Sequence, residues 1–172
     1  MTKRLMKDAL LELLERQELS RISVTAICDA ADVHRSTFYK YYHEPEDLLM
    51  EIEQDFLNQI SVPPSEYDSQ SRRMFLFSNR FFFDYEKENA KAIGILLNKN
   101  DNNRFVSRFV DLLCDRYIIG IEDTDELRSH FKRLYIANGT VGMLREWINQ
   151  GFPVSGEAFA EMIYQFSRKT AE

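Results

Sequence analysis

Glycine, proline and cysteine are all scarce in this sequence of 172 residues, which contains 6, 4 and 2 of them. All-β sandwiches need frequent turns, and turns are rich in glycine and proline, so this fold class is disfavoured. The two cysteines, Cys28 and Cys114, are too few for a disulfide framework and too far apart for a CxxC metal site. We expect both to be free thiols in a reducing compartment.

Long apolar runs are also missing. No stretch approaches the roughly 18 consecutive apolar residues that a membrane-spanning helix needs. The first residues, MTKRLMKDALLELL, contain neither a continuous apolar segment nor a small-residue cleavage site, so we predict no signal peptide. These features favour a cytoplasmic protein.

Signatures of catalysis and metal binding are missing as well. The three histidines, His34, His43 and His130, lack the spacing of metal ligands. The sequence contains no nucleophile motif and no glycine-rich phosphate loop. We therefore expect no enzymatic activity, no cofactor and no bound metal.

The acidic balance of the chain is uneven. The net charge is −6, but residues 1–45 hold seven basic and seven acidic side chains and are neutral as a segment. The charge on one face matters more for nucleic-acid binding than the total. Lys3, Arg4 and Lys7 lie near the start of the first predicted helix, where the helix dipole disfavours cations. Either an anionic partner or plain solvation of this helix end would account for them.

Helical patterning dominates what is present. Apolar residues recur at three- and four-residue spacing along most of the chain, which predicts an all-α protein of about nine helices. We expect helices at 2–17, after Ser23, at 35–42, 45–60, 68–88, 90–97, 103–119, 123–149 and 155–167. Asp123 with Glu126 resembles a capping box that opens the helix at 123–149. We place an N-terminal three-helix domain at residues 1–47 and a second helical domain at residues 48–172.

Residues 23–49 form the most informative stretch of the sequence. Ser23 is a good N-cap for a helix whose apolar residues Val24, Ile27, Cys28 and Ala31 share one face. A tight turn at Asp32 and Val33 leads into a short helix whose Phe38 and Tyr42 should face inward. Its outer surface then carries Arg35, Ser36, Thr37, Tyr39, Lys40 and Tyr41. Such a set suits a polar, anionic partner, and DNA is the obvious candidate.

These residues resemble the N-terminal DNA-binding domain of TetR/AcrR family transcriptional regulators. The segments that match are VTAIC at 24–28, ADV at 31–33, FYKYY at 38–42 and the Leu48-Leu49 pair. A weaker second match covers ANGTVGMLREW at 137–147, which is followed by GFP at 151–153. It looks like the last two helices of many such regulators. The resemblance therefore implies a helix-turn-helix reader and a C-terminal helical domain.

By this resemblance, the short helix lies in the major groove. The residues expected at base edges are Arg35, Ser36 and Thr37. The residues expected at phosphates are Thr25, His34, Tyr39, Lys40 and Tyr41. An alternative for Tyr39 and Tyr41 is that they only cover the small core.

Two positions depart from the family pattern. The turn carries Asp32 where the family usually has glycine, and aspartate tolerates the left-handed conformation better than most residues. The start of the fourth helix carries Pro45, flanked by acids at 44, 46 and 47, where the family often has a phosphate-binding lysine. Lys3, Arg4 and His43 are possible substitutes for that contact.

A single reader contacts few bases, so the resemblance implies a two-fold dimer that reads two half-sites. The expected interface residues are Gly139, Gly142, Phe159, Met162, Ile163 and Phe166. The alternative is that this stripe packs only within its own chain.

The resemblance also implies a small-molecule effector bound among the central helices. The expected lining is aromatic and consists of Phe81, Phe82, Tyr85, Phe105, Phe109, Tyr117 and Tyr135. The alternative for each of them is plain core packing. The resulting hypothesis is a TetR-like homodimer, a repressor that an effector releases from operator DNA. A protein-interaction module of the same fold that no longer reads DNA is the alternative, and the acids around Pro45 favour it.

Overall fold

The computed structural model describes residues 1–59, 89–98, 104–116 and 125–169. Within these ranges the chain folds into α-helices with no strand, so the all-α prediction is confirmed. The helices are α1 (Thr2–Arg16), α2 (Val24–Ala31), α3 (Arg35–Phe38), α4 (Pro45–Gln59), α5 (Ala90–Asn98), α6 (Arg104–Arg116), α7 (Glu126–Asn149) and α8 (Gly156–Lys169). A single 3-10 turn at Leu19–Arg21 links α1 to α2.

The first three helices pack around one small core, and α4 closes it. Helix α1 contacts α2 and α4, and α2 contacts α3. Met6, Leu10, Ile27, Phe38 and Leu48 meet in this core and are fully buried. Burying side chains of this size contributes roughly 1.5–3 kcal/mol each. We call α1–α3 the reading head.

Helices α5–α8 form a second packed region, which we call the body. Helix α7 contacts both α5 and α6, and α4 reaches α6, so α4 belongs to both regions. Ile93, Leu96, Phe105, Phe109 and Leu144 are buried there. Helix α1 also contacts α5, and the Nζ of Lys91 on α5 lies 3.1 Å from Oε2 of Glu15 on α1. The reading head therefore meets the body through both α4 and α5.

Two helix boundaries differ from the sequence-based prediction by three residues or more. Helix α3 ends at Phe38 rather than at residue 42, and residues 39–41 continue as a turn in which the Tyr41 N–H donates to the Phe38 carbonyl at 2.9 Å. Pro45 opens α4, and the residue before a proline is disfavoured in the helical conformation, so the chain has to leave the helix before Glu44. The predicted opening at Asp123 is wrong, since α7 begins at Glu126 and its N-cap is Asp125. The Asp125 Oδ1 accepts the Leu127 N–H at 2.9 Å.

A sharp corner joins α7 to α8. Gly151 and Phe152 both have positive φ, 70° and 62°, and the Phe152 N–H donates to the Trp147 carbonyl at 2.9 Å. The ring of Trp147 lies parallel to that of Phe159 with centroids 4.5 Å apart, and its Nε1–H donates to the Val154 carbonyl at 3.0 Å. The edge of Phe152 meets the same indole at 4.7 Å. The chain's one tryptophan therefore fastens this corner.

Several predictions lie outside the described residues. They are the helix at 68–88, the last residue of the predicted helix 45–60, and the first residue and the last three residues of the predicted helix 103–119. None of the helices that the structure describes combines the length and the apolar character that crossing a membrane requires.

Candidate nucleic-acid interface

The turn between α2 and α3 sets the geometry of the reading head. Ser23 caps α2 as expected, since its Oγ accepts the Ala26 N–H at 3.1 Å. Asp32 adopts the left-handed conformation with φ 52° and ψ 48°. The next N–H, that of Val33, donates to the Cys28 carbonyl at 3.0 Å and closes the end of α2. The turn therefore forms without glycine, as the sequence predicted.

The aromatic residues of the α3 segment divide between core and surface. Phe38 and Tyr42 are buried as predicted, with ring centroids 5.5 Å apart. Tyr39 and Tyr41 are 55% and 49% exposed, so about half of each side chain is free to contact another molecule. Their predicted phosphate contacts stay a prediction.

The remaining predicted DNA contacts surround these two tyrosines. His34, Arg35, Ser36 and Lys40 are exposed, while Thr25 and Thr37 are half-buried. The side chains from His34 to Lys40 belong to the short segment that the buried Phe38 anchors to the core. The result is a compact polar surface that carries a guanidinium, an ammonium and several hydroxyl groups.

The acids at the start of α4 have a structural role that the sequence analysis did not identify. The Asp47 carboxylate accepts the His43 N–H at 2.8 Å and the Glu44 N–H at 3.3 Å. Pro45 occupies the first turn, where a missing N–H removes no hydrogen bond. Helix N-termini carry unpaired N–H groups and a partial positive charge, and Asp47 satisfies both. At least one of the unexpected acids therefore serves the helix itself.

The lysines at the start of α1 are bound to α4. The Nζ of Lys3 lies 2.9 Å from Oε2 of Glu51, and the Nζ of Lys7 lies 2.7 Å from Oε1 of the same carboxylate. Lys7 also pairs with Asp55. We call these four residues the α1–α4 clamp. It offers a third explanation for the cations, beside a DNA partner and plain solvation, because α4 supplies their counter-charge.

The clamp also reaches the reading surface. The Lys3 ammonium lies 5.3 Å from the ring centroid of Tyr41 and 5.4 Å from that of Tyr42, within cation–π distance. This contact joins the clamp to the end of the α3 segment. Arg4, by contrast, is highly exposed and only approaches Asp8 at 3.8 Å on its own helix.

The electrostatics of the clamp follow from these contacts. Burial alone would raise the pKa of Glu51, but the hydrogen bonds from Lys7 and Lys3 outweigh it and lower that pKa to about 2. For Lys7, burial lowers the pKa while Asp55 and Glu51 raise it, and the net shift is upward. Burial and the Glu51 carboxylate raise the pKa of the Tyr42 hydroxyl. Glu51 is therefore charged throughout the physiological pH range.

An apolar face runs along α7 and onto α8. Leu127, Phe131 and Tyr135 recur every four residues on α7 and are exposed, as is Phe166 on α8. A groove of about 350 Å³ lies between the two helices. It is lined by Tyr135, Ile136, Gly139, Thr140, Met143, Ile163, Phe166 and Ser167. Nothing lies within 4 Å of a Cβ built at Gly139 or Gly142, so both glycines face open space.

The structure changes two of the sequence-based site assignments, those of Phe159 and Tyr135. Phe159 is 2% exposed and stacks on Trp147, so it belongs to the core of its own chain and not to an open interface. Tyr135 was expected among the interior aromatics, but it is 68% exposed and lines the α7–α8 groove. Ile163 is buried yet also lines this groove, and Met162 is half-buried. Leu127 and Phe131 were missed, although their four-residue spacing was visible in the sequence.

The predicted effector site is described only in part. Phe105 and Phe109 are buried and pack on Phe56 of α4, with centroids 5.4 Å and 5.6 Å from its ring. This contact fits the alternative of core packing for both residues. The other predicted lining residues, Phe81, Phe82, Tyr85 and Tyr117, lie outside the described residues. Their role stays a prediction.

The chain is similar to known transcriptional regulators. A TetR family model described as a transcriptional regulator C-terminal region matches residues 80–169, just over half of the chain. The chain is 28% identical over 160 residues to the HTH-type dhaKLM operon transcriptional activator DhaS of Lactococcus lactis subsp. lactis (strain IL1403). That alignment covers 87% of this chain and 81% of DhaS.

A second relative and a solved structure agree with this likeness. The uncharacterized HTH-type transcriptional regulator YxbF of Bacillus subtilis (strain 168) is 20% identical over 166 residues, which cover 92% of this chain but only 43% of YxbF. The crystal structure of a TetR transcriptional regulator from Streptococcus agalactiae 2603V superimposes with a TM-score of 0.72. It is 21% identical, and the match covers 96% of this chain and 93% of that one. At this identity the superposition shows a shared fold.

Proposed function

Because the chain belongs to the TetR family of transcriptional regulators, we propose that it binds operator DNA as a homodimer through α2 and α3. The observation that carries this proposal is the face of the α3 segment, where exposed Arg35, Lys40 and Tyr41 lie above the buried Phe38. A rigid base beneath an exposed polar face is what a major-groove reader requires.

The side chains on this face divide between two tasks. Arg35 can donate two hydrogen bonds to a guanine edge, and Thr37 offers a methyl group to thymine. Ser36 completes the set expected at base edges. Lys40, Tyr39, Tyr41, His34 and Thr25 would hold phosphates, which position the protein without reading sequence.

The apolar face of α7 and α8 supports the homodimer. Exposed Leu127, Phe131, Tyr135 and Phe166 form a larger apolar surface than scattered single residues would. Gly139 and Gly142 lack the Cβ that would hold a second helix away. A two-fold interface uses the same patch on both copies, so one such face is sufficient.

A small-molecule effector in the body is the second element of the proposal. The buried aromatics Phe105 and Phe109 lie on α6, and α6 contacts α4. A molecule that shifted α6 would therefore act on the helix that supports the reading head. An effector changes DNA affinity only if it binds one arrangement of the heads better than the other.

Repression is the proposed outcome, because a dimer bound over a promoter blocks its use. The relative DhaS is named an activator, which makes activation the second candidate for the sign of regulation. A reporter gene placed behind the bound operator separates them, since its expression should rise on deletion of a repressor and fall on deletion of an activator.

A DNA-binding regulator has to act where the DNA is, so we propose the cytoplasm. Catalysis is not part of the proposal.

The alternative of an interaction module without DNA reading has lost part of its support. Its argument was the acidic start of α4, and Asp47 there caps the helix. Binding to duplex DNA of random sequence, measured between about 50 and 200 mM salt, distinguishes the two functions. A reader should lose affinity steeply as salt rises, because each phosphate contact releases counterions. Failure of the full-length protein to bind duplex DNA at low salt would overturn the proposed function.

A further inference from the structure

Glu53 is a fully buried carboxylate in the middle of α4. Its side chain is 0% exposed, and its neighbours Ile52, Phe56 and Leu57 on the same helix are buried apolar residues. Two arginines of α6 reach it. An Nη of Arg104 lies 3.2 Å and 3.4 Å from its two oxygens, and an Nη of Arg108 lies 3.5 Å from Oε2.

Stability alone does not account for this arrangement. Removing a carboxylate from water costs several kcal/mol, and apolar residues of similar volume are often as stable or more so. The surrounding interface is already apolar, since Phe56 packs on Phe105 and Phe109. A charge that adds little net stability has to contribute something that these rings do not.

The ion pairs fix the relative position of the two helices, which the aromatic rings alone do not. Aromatic packing tolerates small rotations and translations of one helix against another, whereas hydrogen-bonded ion pairs are directional. Arg104 and Arg108 lie one turn apart on α6 and converge on one carboxylate. Arg104 donates hydrogen bonds to Glu53, and Arg108 pairs with Glu53 and donates to Gln54 of the same helix. Together these contacts hold α4 at one height and one rotation against α6.

Glu53 and Glu51 lie on different faces of α4. Two residues along a helix rotate by about 200°, so Glu53 lies on the face opposite to Glu51. Glu51 and Asp55 hold Lys3 and Lys7 of the reading head. Helix α4 therefore forms ion pairs on two faces, one toward the reading head and one toward the body.

We propose that Glu53, held by Arg104 and Arg108, is a positioning residue that fixes the orientation of the reading head on the body. In the proposed homodimer, on which this inference rests, that orientation sets the separation of the two heads. The ion pairs would thus determine which half-site spacing the dimer accepts. Glu53 itself touches no DNA in this scheme.

The test uses an operator selected by the full-length wild-type protein from a pool of randomised duplexes. Binding is compared on this operator, on versions with one base pair more or less between half-sites, and on a single half-site. The variant Glu53→Met/Arg104→Met/Arg108→Met removes the carboxylate and both guanidinium groups together. Glu12→Met, which removes an exposed carboxylate of α1, is the matched control.

The wild type and the control should bind the altered spacings at least about tenfold more weakly than the selected one, a difference of about 1.4 kcal/mol. The triple variant should remain folded, bind the single half-site as the wild type does, and bind all three spacings within about threefold of one another. A purely structural role would change thermal stability and leave the spacing preference intact.

Two results would overturn this inference while leaving the proposed function in place. One is a triple variant that discriminates spacing as the wild type does, and the other is an equal loss of affinity on the single half-site and the full operator. A wild-type protein that ignores spacing would also contradict it. A wild-type protein that selects no duplex at all would overturn the proposed function and, with it, this inference.

Discussion

Asp32 holds the turn of the reading head in a backbone conformation that few side chains accept. Its φ of 52° is left-handed, and its side chain is exposed. Aspartate reaches this region more readily than most residues because its short polar side chain can bond locally. The residue therefore affects stability through its backbone rather than through contacts.

Two substitutions at position 32 should have opposite effects. Asp32→Gly should raise the free energy of unfolding by up to about 1 kcal/mol, because glycine has no Cβ to strain the turn. Asp32→Val should lower it by about 1–2 kcal/mol, because a β-branched residue is disfavoured at positive φ. Urea unfolding of the three proteins measures both. A valine variant as stable as the wild type would contradict the strain argument.

Arg35 and Lys40 should behave differently when each is replaced by alanine. Arg35→Ala should relax the preference at one base pair of each half-site, a loss of about 1–3 kcal/mol in discrimination. Lys40→Ala should weaken binding to all sequences alike and reduce the salt dependence by about one counterion. Binding to a panel of single-base operator variants at two salt concentrations separates these effects. Indistinguishable sequence preferences in the two variants would contradict the assigned roles.

At the scale of helices, α4 carries charged contacts to both regions. Its first face carries Glu51 and Asp55 toward α1, and its opposite face carries Glu53 toward α6. The α1–α4 clamp brings together residues 48 positions apart, so it depends on the folded head. Its contribution should therefore appear in the pH dependence of unfolding.

Glu51→Gln should lower stability at neutral pH by about 1 kcal/mol, near the upper end for partly exposed ion pairs. The folded-state pKa of Glu51, about 2, is below its ordinary value of 4.5. Its stabilising contribution is therefore present above pH 4.5 and is lost as the pH falls from 4.5 toward 2. The variant should show a shallower loss of stability across that window in urea titrations.

Asp8→Asn is the control for this experiment. Asp8 is an exposed carboxylate of α1 whose nearest cation, Arg4, is 3.8 Å away on the same helix. Its replacement should change stability by less than about 0.5 kcal/mol at any pH. If Glu51→Gln and Asp8→Asn gave the same pH profile, the clamp would not be a stabilising contact.

Local features of these helices were predictable, and contacts between distant segments were not. Ser23, Asp32 and the Phe38–Tyr42 pair act within a few residues of the chain, so spacing and side-chain type were enough. The partners of Lys3 and Glu53 were not predictable, because many acids and bases of the same kind lie along the chain. Burial of a side chain was not predictable for the same reason, since the stripe containing Phe159 does not reveal which neighbour covers it. Tyr135 was misplaced for that reason.

At the scale of the molecule, the apolar face of α7 and α8 is a feature that one chain leaves uncovered. Leu127, Phe131, Tyr135 and Phe166 lie there beside the groove at Gly139. An exposed apolar patch of this kind marks an interaction site. In the proposed homodimer, a second copy of the chain covers this face.

Phe131→Glu should convert the proposed homodimer to a monomer without unfolding the chain. A carboxylate on an apolar contact surface should weaken self-association by at least about tenfold, or about 1.4 kcal/mol. Because Phe131 is exposed in a single chain, the helical content should not change. Light scattering coupled to gel filtration measures the mass, and operator binding should weaken in parallel.

Met50→Glu provides the matched control for this experiment. Met50 is another exposed apolar side chain, but it lies on α4, away from the α7–α8 face. It should leave the mass unchanged. If Phe131→Glu and Met50→Glu had the same mass as the wild type, the interface would lie elsewhere.

The corner between α7 and α8 makes the protein its own spectroscopic probe. Trp147 is the only tryptophan, it is 3% exposed, and it is stacked on Phe159 beneath the apolar face. Excitation near the red edge of protein absorption therefore reports on this one corner and on no other part of the chain. A change in its emission upon mixing with candidate effectors or with DNA would show that binding alters the surroundings of Trp147 between α7 and α8. Screening could thus begin with unlabelled protein and a fluorimeter.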